Sequence, residues 1–190
     1  MLAAVPRRFT VEEYHRLAEV GVLHEDDRVE LLNGVIVNMR PIGPFHGGSV
    51  NRLNRLFEQL SRARWVTSVQ NPVHLGEHEE PQPDLLLLRP RDDFYISGHP
   101  RAEDVFLLIE VSDSTLLIDR EDKLPIYAAA GICEVWIVNL PERVIEVYTH
   151  PAGVGYGTVR RVRPGEALAP AAFPDAEIDT AALLQPGSPR

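Results

Sequence analysis

The chain has 190 residues, a length that favours one domain over two, and its 44% hydrophobic and 25% charged content is the balance of a folded globular protein, which excludes a disordered or fibrous chain. Its formal net charge of -9 is the wrong sign for a protein that coats nucleic acid, because neutralising phosphates draws on Lys and Arg in quantity. Residues 1–6 show no leader pattern and no run of about 18 apolar residues occurs anywhere, so a cytoplasmic protein without a membrane span is expected.

In chain order, Thr10 and Glu13 stand at capping-box positions, with Phe9 and Tyr14 spaced as a hydrophobic staple, and Gly21 ends the helix they start. Asn33-Gly34 between two β-type runs predicts a hairpin that carries Glu30 on its first strand. Residues 41–48 read as a loop and 49–62 as a helix, with Leu53, Leu56, Phe57 and Leu60 on one side and Arg52, Arg55 and Arg62 on the other. That stripe is the local positive charge a nucleic-acid reading requires, although an ordinary solvated face accounts for it as well. Residues 65–75 are β-type and 76–82 form an acidic loop. His74 and His78 have HxxxH spacing, but without HExxH or a regular helix they read as loop residues and not as a ligand pair.

Residues 85–88 and 105–111 are short, almost unbroken apolar runs, the pattern of strands buried on both faces. The polar segment 90–104 between them is long enough to border a site. Residues 119–130 have helical periodicity with Gly131 as the stop, and Pro125 inside them predicts a kink or a fresh helix start. Residues 134–140 and 144–149 predict a hairpin, and 156–162 a further strand. Cys133, the only cysteine, has no internal disulfide partner and is expected to be a small buried thiol in the apolar stretch 131–140. The expected architecture is α/β (α+β): one domain over residues 1–184, a central mixed, largely antiparallel sheet flanked by helices, then a disordered tail at 185–190.

Asp84 immediately precedes one buried run and Glu110 lies near the end of the other. If the two strands pair antiparallel, at about 4.8 Å separation, both carboxylates reach one sheet edge and can grip one divalent cation. Without a cation they repel and raise each other's pKa. Strand alternation turns Glu110 and Ser112 one way and Val111 the other. The nearest lysine in sequence is Lys123, stacked between Asp119 and Tyr127 by four-residue spacing.

Pro83-Asp84, Glu110-Val111-Ser112, Asp119-x-x-x-Lys123-x-x-x-Tyr127, Ala130-Gly131-Ile132 and Val135-Trp136-Ile137-Val138 together resemble the Uma-two family of endonucleases. The Glu30-Leu-Leu-Asn-Gly34 hairpin and Pro44-x-His46 also match, so the resemblance covers residues 10 to 180. It implies a restriction-endonuclease-like fold of the PD-(D/E)XK type whose lysine, absent where Ser112 stands, comes from a helix. It further implies Mg²⁺ or Mn²⁺ held by Asp84, Glu110 and the backbone carbonyl of Val111, with Lys123 orienting or deprotonating the attacking water. Glu30 is implied as an extra acid near the metal and His46 as a phosphate contact or proton relay. DNA stands ahead of RNA as the partner, and a homodimer is suggested by what related nucleases do. The rival reading is a non-catalytic dimerisation or nucleic-acid-binding scaffold, for which the acidic net charge leaves room. Glycoside hydrolysis would leave Lys123 without a role. No G-x-S-x-G motif occurs, and Gly47-Gly48-Ser49 lacks the lysine of a P-loop.

Overall fold

The computed structural model describes residues 6–24 and 26–185, so all but the first residue of the expected tail lies outside the described residues. Helix α1 (Val11–Glu19) starts with the expected reciprocal cap: Thr10 Oγ1 accepts from the Glu13 N–H while the Glu13 carboxylate accepts from the Thr10 N–H. Strands β1 (Val29–Leu32) and β2 (Val35–Asn38) pair antiparallel across Asn33 and Gly34, whose φ values of 52 and 70 are the two positive angles a tight hairpin turn needs. A Cβ on Gly34 would stand 2.5 Å from Arg8 Cβ, so glycine is required there twice over.

Helix α2 (Pro44–Ser61) begins at residue 44 and not at 49. Pro44 is the reason: its fixed φ and missing N–H suit the first turn of a helix, where that donor would have no partner. The double glycine that reads as a loop costs about 1 kcal/mol per residue in a helix, and burial of Val50, Leu53 and Phe57 outweighs it. His46 therefore sits on the first turn of a helix.

The main sheet runs β3 (Val66–Val69), β4 (Leu85–Leu88), β5 (Val105–Ser112), β6 (Glu134–Asn139), β7 (Val144–Ala152) and β8 (Gly155–Val162) in spatial order β3-β4-β5-β6-β7-β8. Only the β5–β6 pair is parallel, so the sheet is mixed and largely antiparallel, as expected. The stretch 65–75 yields a shorter strand than expected, because Gln70 turns the chain with φ 51 and Pro72 cannot donate to a ladder. Alternation sorts the core into two layers. Leu85, Leu87, Ile109 and Val111 pack with α2 residues Leu53 and Phe57 on one face. Leu86, Leu88, Leu108 and Ile137 pack with Tyr127 and Ile132 on the other. Leu168, Ala176, Ile178 and Leu183, the last on the short helix α3 (Thr180–Leu183), close the first layer.

The crossover between the parallel strands is helical but not uniform. A turn at Leu116–Ile118 leads into a π-helical segment, Asp119–Lys123, which hands over to an α-helical segment, Leu124–Ala129, with Pro125 in its first turn. Proline at 125 deletes the N–H that would pair with the carbonyl of residue 121 and crowds that carbonyl. The wider π turn, in which Leu124 N–H reaches back five residues to the Asp119 carbonyl, accommodates both defects. Gly131, at φ +80, then stops the helix. Cys133 is exposed, which corrects the expectation of a buried thiol. It falls in the turn between Gly131 and β6, where Ile132 and Glu134 are the inward residues.

Candidate functional site

Antiparallel pairing of β4 with β5 sets Leu85 opposite Ile109, so Asp84 and Glu110 are the next positions out along this pair. By parity with Leu86 and Leu108, both project to the layer that holds the helical crossover. Glu110 is 3% exposed, and its Oε1 accepts from Lys123 Nζ at 3.2 Å and from the Tyr127 hydroxyl. Lys123, 5% exposed, also reaches Glu30 Oε2 on β1 at 3.0 Å, and that same oxygen accepts from the Gln82 N–H at 3.0 Å. Ser112, two residues beyond Glu110 on the same face, donates to Asp119 Oδ2 at 2.6 Å, with Thr115 donating to it at 2.7 Å. The serine that stands where a lysine was sought thus fixes the start of the π-helical segment that delivers Lys123.

Asp84 is tied to the sheet differently. Its Oδ2 accepts from the backbone N–H of Val111 at 2.8 Å, and its Oδ1 contacts His46 Nε2 at 2.9 Å and Gln70 Nε2 at 3.2 Å. Because the Ser112 carbonyl is taken by the Leu140 N–H on the β6 side, alternation sends the N–H and the carbonyl of Val111 to the Asp84 side. His46, expected as a phosphate contact or proton relay, is hydrogen-bonded to Asp84.

One cleft is lined by Glu30, His46, Asp84, Glu110, Asp119 and Lys123. The expected residues Asp84, Glu110, Lys123, Glu30 and His46 are therefore brought together, with Val111 beside them. Electrostatics there are unbalanced. Burial pushes the Glu110 carboxyl up to about 8 against the pull of Lys123, with Asp119 and Asp84 adding to the rise. Burial likewise raises Asp119. Burial alone would depress Lys123, yet Glu110, Glu30 and Asp119 hold its ammonium above the usual lysine range. One ammonium cannot neutralise that many carboxylates, so both directions hold at once. The hydrogen bond to Asp84 raises His46.

Sequence reasoning missed Gln70 and Gln82, which brace Asp84 and Glu30, and assigned no role to Asp119 or Tyr127 although both were in view at four-residue spacing from Lys123. The expected positive stripe of α2 is in part committed elsewhere. Arg52 spends its guanidinium on the carbonyls of Ala182 and Leu183 at the end of α3. The arginines that line the cleft are Arg28 and Arg40, the latter donating to the Ser114 carbonyl at 2.8 Å. His74 and His78 do not converge as a pair, since His78 Nδ1 donates to the Phe9 carbonyl at 2.7 Å.

No curated protein is detectably similar in sequence. Among solved structures, the chain is similar to a protein from Anabaena variabilis described as "a putative nuclease belonging to DUF820", at TM-score 0.69 and 14% identity over 93% of this chain and 97% of that one. At that identity the likeness is one of fold. Residues 11–181 match the model of the Uma2 family, described as "Putative restriction endonuclease". With nearly the whole described chain inside that match, the protein belongs to the Uma2 family.

Proposed function

We propose that this nuclease-family chain is a divalent-metal-dependent endonuclease hydrolysing phosphodiester bonds, with DNA ahead of RNA as substrate and Asp84, Glu110 and Lys123 as its PD-(D/E)XK-type site. The observation that carries the reading is one buried ammonium, Lys123, held between Glu30 and Glu110 in the cleft that also contains Asp84 and Asp119. An all-oxygen donor set with surplus negative charge suits a hard dication, and the raised Glu110 carboxyl is the strain such an ion would relieve. Asp84 and Glu110, with the Val111 carbonyl, would hold Mg²⁺ or Mn²⁺. When bound, the ion would acidify an attacking water and neutralise charge on the scissile phosphate.

The chain's own groups supply the rest. Lys123, itself 5% exposed, keeps a positive charge at the cleft, where it stabilises negative charge growing on phosphoryl oxygens and orients a water for in-line attack. Glu30 holds that ammonium in place from β1. His46 and Gln70 fix the Asp84 carboxylate. Gly43 and His46 put the α2 N-terminus at the cleft, a favourable place for an anion. Arg28 and Arg40 add local positive charge to a chain of net charge -9. A cytoplasmic setting and a homodimer belong to the same proposal; among the described residues no helix is long and apolar enough to cross a membrane.

The test is cleavage of plasmid, single-stranded DNA and RNA in Mg²⁺ or Mn²⁺ by the wild type and by Asp84→Asn. Loss of cleavage in the variant, with folding intact, is expected. Equal trace cleavage by both would refute the proposal and leave the non-catalytic scaffold.

A further inference from the structure

A second group of ligand-type side chains lies outside the acidic cleft. His15 on α1, Glu80, and His99 in the 90–104 loop present ligand atoms that all lie within 4.8 Å of one another. His15 Nε2 is 2.6 Å from Glu80 Oε1, and the His15 and His99 rings stand edge to face with centroids 6.1 Å apart. His74 Nδ1 is 3.7 Å from the other carboxylate oxygen, Glu80 Oε2. These residues are far apart in sequence and are fixed by backbone hydrogen bonds. The His74 N–H donates to the Pro100 carbonyl at 2.9 Å, which sets His99 beside His74. Glu80 exchanges two backbone bonds with Leu31 of β1, and the Val11 N–H docks α1 on the Glu77 carbonyl.

Glu80 is the informative member. Its side chain is 2% exposed, and Oε2 is buried with no hydrogen-bond partner. A buried carboxylate oxygen left unpaired is costly. The His15 contact satisfies Oε1 alone and leaves Oε2 turned toward His74, too far for a hydrogen bond. A simple His15–Glu80 ion pair therefore explains half of this carboxylate.

We propose that His15, Glu80 and His99, with His74 as the fourth ligand, form a structural site for a borderline transition-metal dication, Zn²⁺ first. Imidazoles with one carboxylate are the donor set of zinc and its neighbours and not of Mg²⁺, which favours oxygen alone. A tetrahedral ion with bonds of about 2.0–2.1 Å sets ligand atoms roughly 3.4 Å apart. His15 and His99 are exposed and free to make the small adjustments that spacing requires. The ion would staple α1 and the 90–104 loop to Glu80, and through the Leu31–Glu80 bridge hold β1 in register. Glu30, the contact of Lys123, is the neighbouring residue on that strand.

The test uses the full chain without an affinity tag, in a Cys133→Ser background so that the exposed thiol does not bind the probe. Zn²⁺ affinity is measured by competition with a chromophoric chelator and by thermal melting, and the ligand field is read from Co²⁺ absorption. Wild type should bind one ion tightly with a tetrahedral Co²⁺ spectrum. His15→Ala, His99→Ala and Glu80→Gln should each weaken binding at least tenfold to a hundredfold, the range for disturbing a metal site. Asp84→Asn with Glu110→Gln, which removes the carboxylates proposed to hold Mg²⁺ or Mn²⁺, should leave the tight, tetrahedral site unchanged and abolish only the weaker Zn²⁺ binding of the cleft. Because His99 is exposed, its variant should fold and melt like the wild type in chelator, whereas His15→Ala, which also strips buried Glu80 Oε1 of its partner, should melt lower in chelator and is judged by its loss of Zn²⁺ binding. If the histidine variants bind Zn²⁺ as the parent does, or if the tight site vanishes with Asp84 and Glu110, the ion is held elsewhere, in the second case in the acidic cleft, and His15 with Glu80 is an ion pair only.

Discussion

Glu110→Gln should make the metal-free protein more stable at alkaline pH while leaving it almost unchanged in acid. Glu110 is buried beside Lys123, Tyr127 and two further carboxylates, and burial is the largest influence raising its carboxyl to about 8. A folded-state pKa above the unfolded one gives stability that is fully present below the unfolded value and lost as pH rises through the folded value. The window therefore opens near 4.5 and closes near 8. At about 1.36 kcal/mol per pH unit, the ceiling on this loss is on the order of 5 kcal/mol. Glutamine mimics the protonated carboxyl, keeps acceptors for Lys123 and Tyr127, and escapes the loss. Divalent metal should cancel the difference by stabilising ionised Glu110, adding about 2.7 kcal/mol at one hundred times its dissociation constant. The assay is denaturant unfolding of both proteins at pH 5, 7 and 9, in chelator and in Mn²⁺. The stability gap should widen with pH in chelator and shrink or reverse in Mn²⁺. A gap that is flat across pH, or an equal gain from Mn²⁺ in both proteins, would show that Glu110 is neither the strained carboxyl nor a ligand.

Other expectations follow from the same geometry. Ser112→Ala should lower stability by about 1.5–3 kcal/mol, the worth of a hydrogen bond to a charged group, because it strips Asp119 of a donor at the start of the π-helical segment; an equilibrium unfolding curve checks this. Arg28→Ala with Arg40→Ala should weaken DNA binding and flatten its dependence on salt by about 0.9 for each phosphate no longer neutralised. Arg52→Ala, whose guanidinium serves the carbonyls of Ala182 and Leu183, should instead lower the melting temperature and leave the salt slope unchanged.

The parts of the fold legible in sequence were those fixed by local chemistry. The Thr10–Glu13 cap, the Asn33-Gly34 turn and the apolar run 85–88 each appear where expected, because two to four neighbouring residues decide each of them. The convergence of Asp84 with Glu110 was also legible, since it needs only antiparallel pairing of two recognisable buried strands. What was illegible depends on tertiary partners. Gly47-Gly48 reads as a loop until the packing of Val50, Leu53 and Phe57 is known, and the α2 start and the placement of His46 hang on that packing. Helical periodicity put the arginines of α2 on an outward face but could not show that Arg52 would be consumed by backbone carbonyls more than a hundred residues away. The π turn was visible only as a conflict at Pro125, whose resolution in fact aims Asp119 and Lys123 into the cleft.

Lys123 is where structure most alters the expected outcome of mutation. Viewed as a helix lysine that is not a ligand, it would be removable without harm to the fold. At 5% exposure, bridging Glu30 and Glu110, it is the counter-ion of the whole acidic cluster. Removing one partner of a buried ion pair typically costs about 3–5 kcal/mol, so Lys123→Met should destabilise the metal-free protein by an amount of that order. Some of the loss should be recovered in Mn²⁺, because a dication supplies the missing positive charge; the metal-induced rise in melting temperature should exceed that of wild type. Activity should not recover, because the lost ammonium acts on charge that develops during the reaction, and groups of that kind contribute roughly a hundredfold to a thousandfold in rate. A companion double variant, Lys123→Met with Glu30→Gln, separates the two roles. Neutralising Glu30 removes the carboxylate that Lys123 compensated, so the double variant should be more stable than the single one while remaining equally slow. Single-turnover cleavage at saturating Mn²⁺, on samples shown to be folded by circular dichroism, gives the comparison. Were the stabilised double variant to cleave at the wild-type rate, Lys123 would be a structural counter-ion, and the chemistry would have to come from the carboxylates and the metal without it.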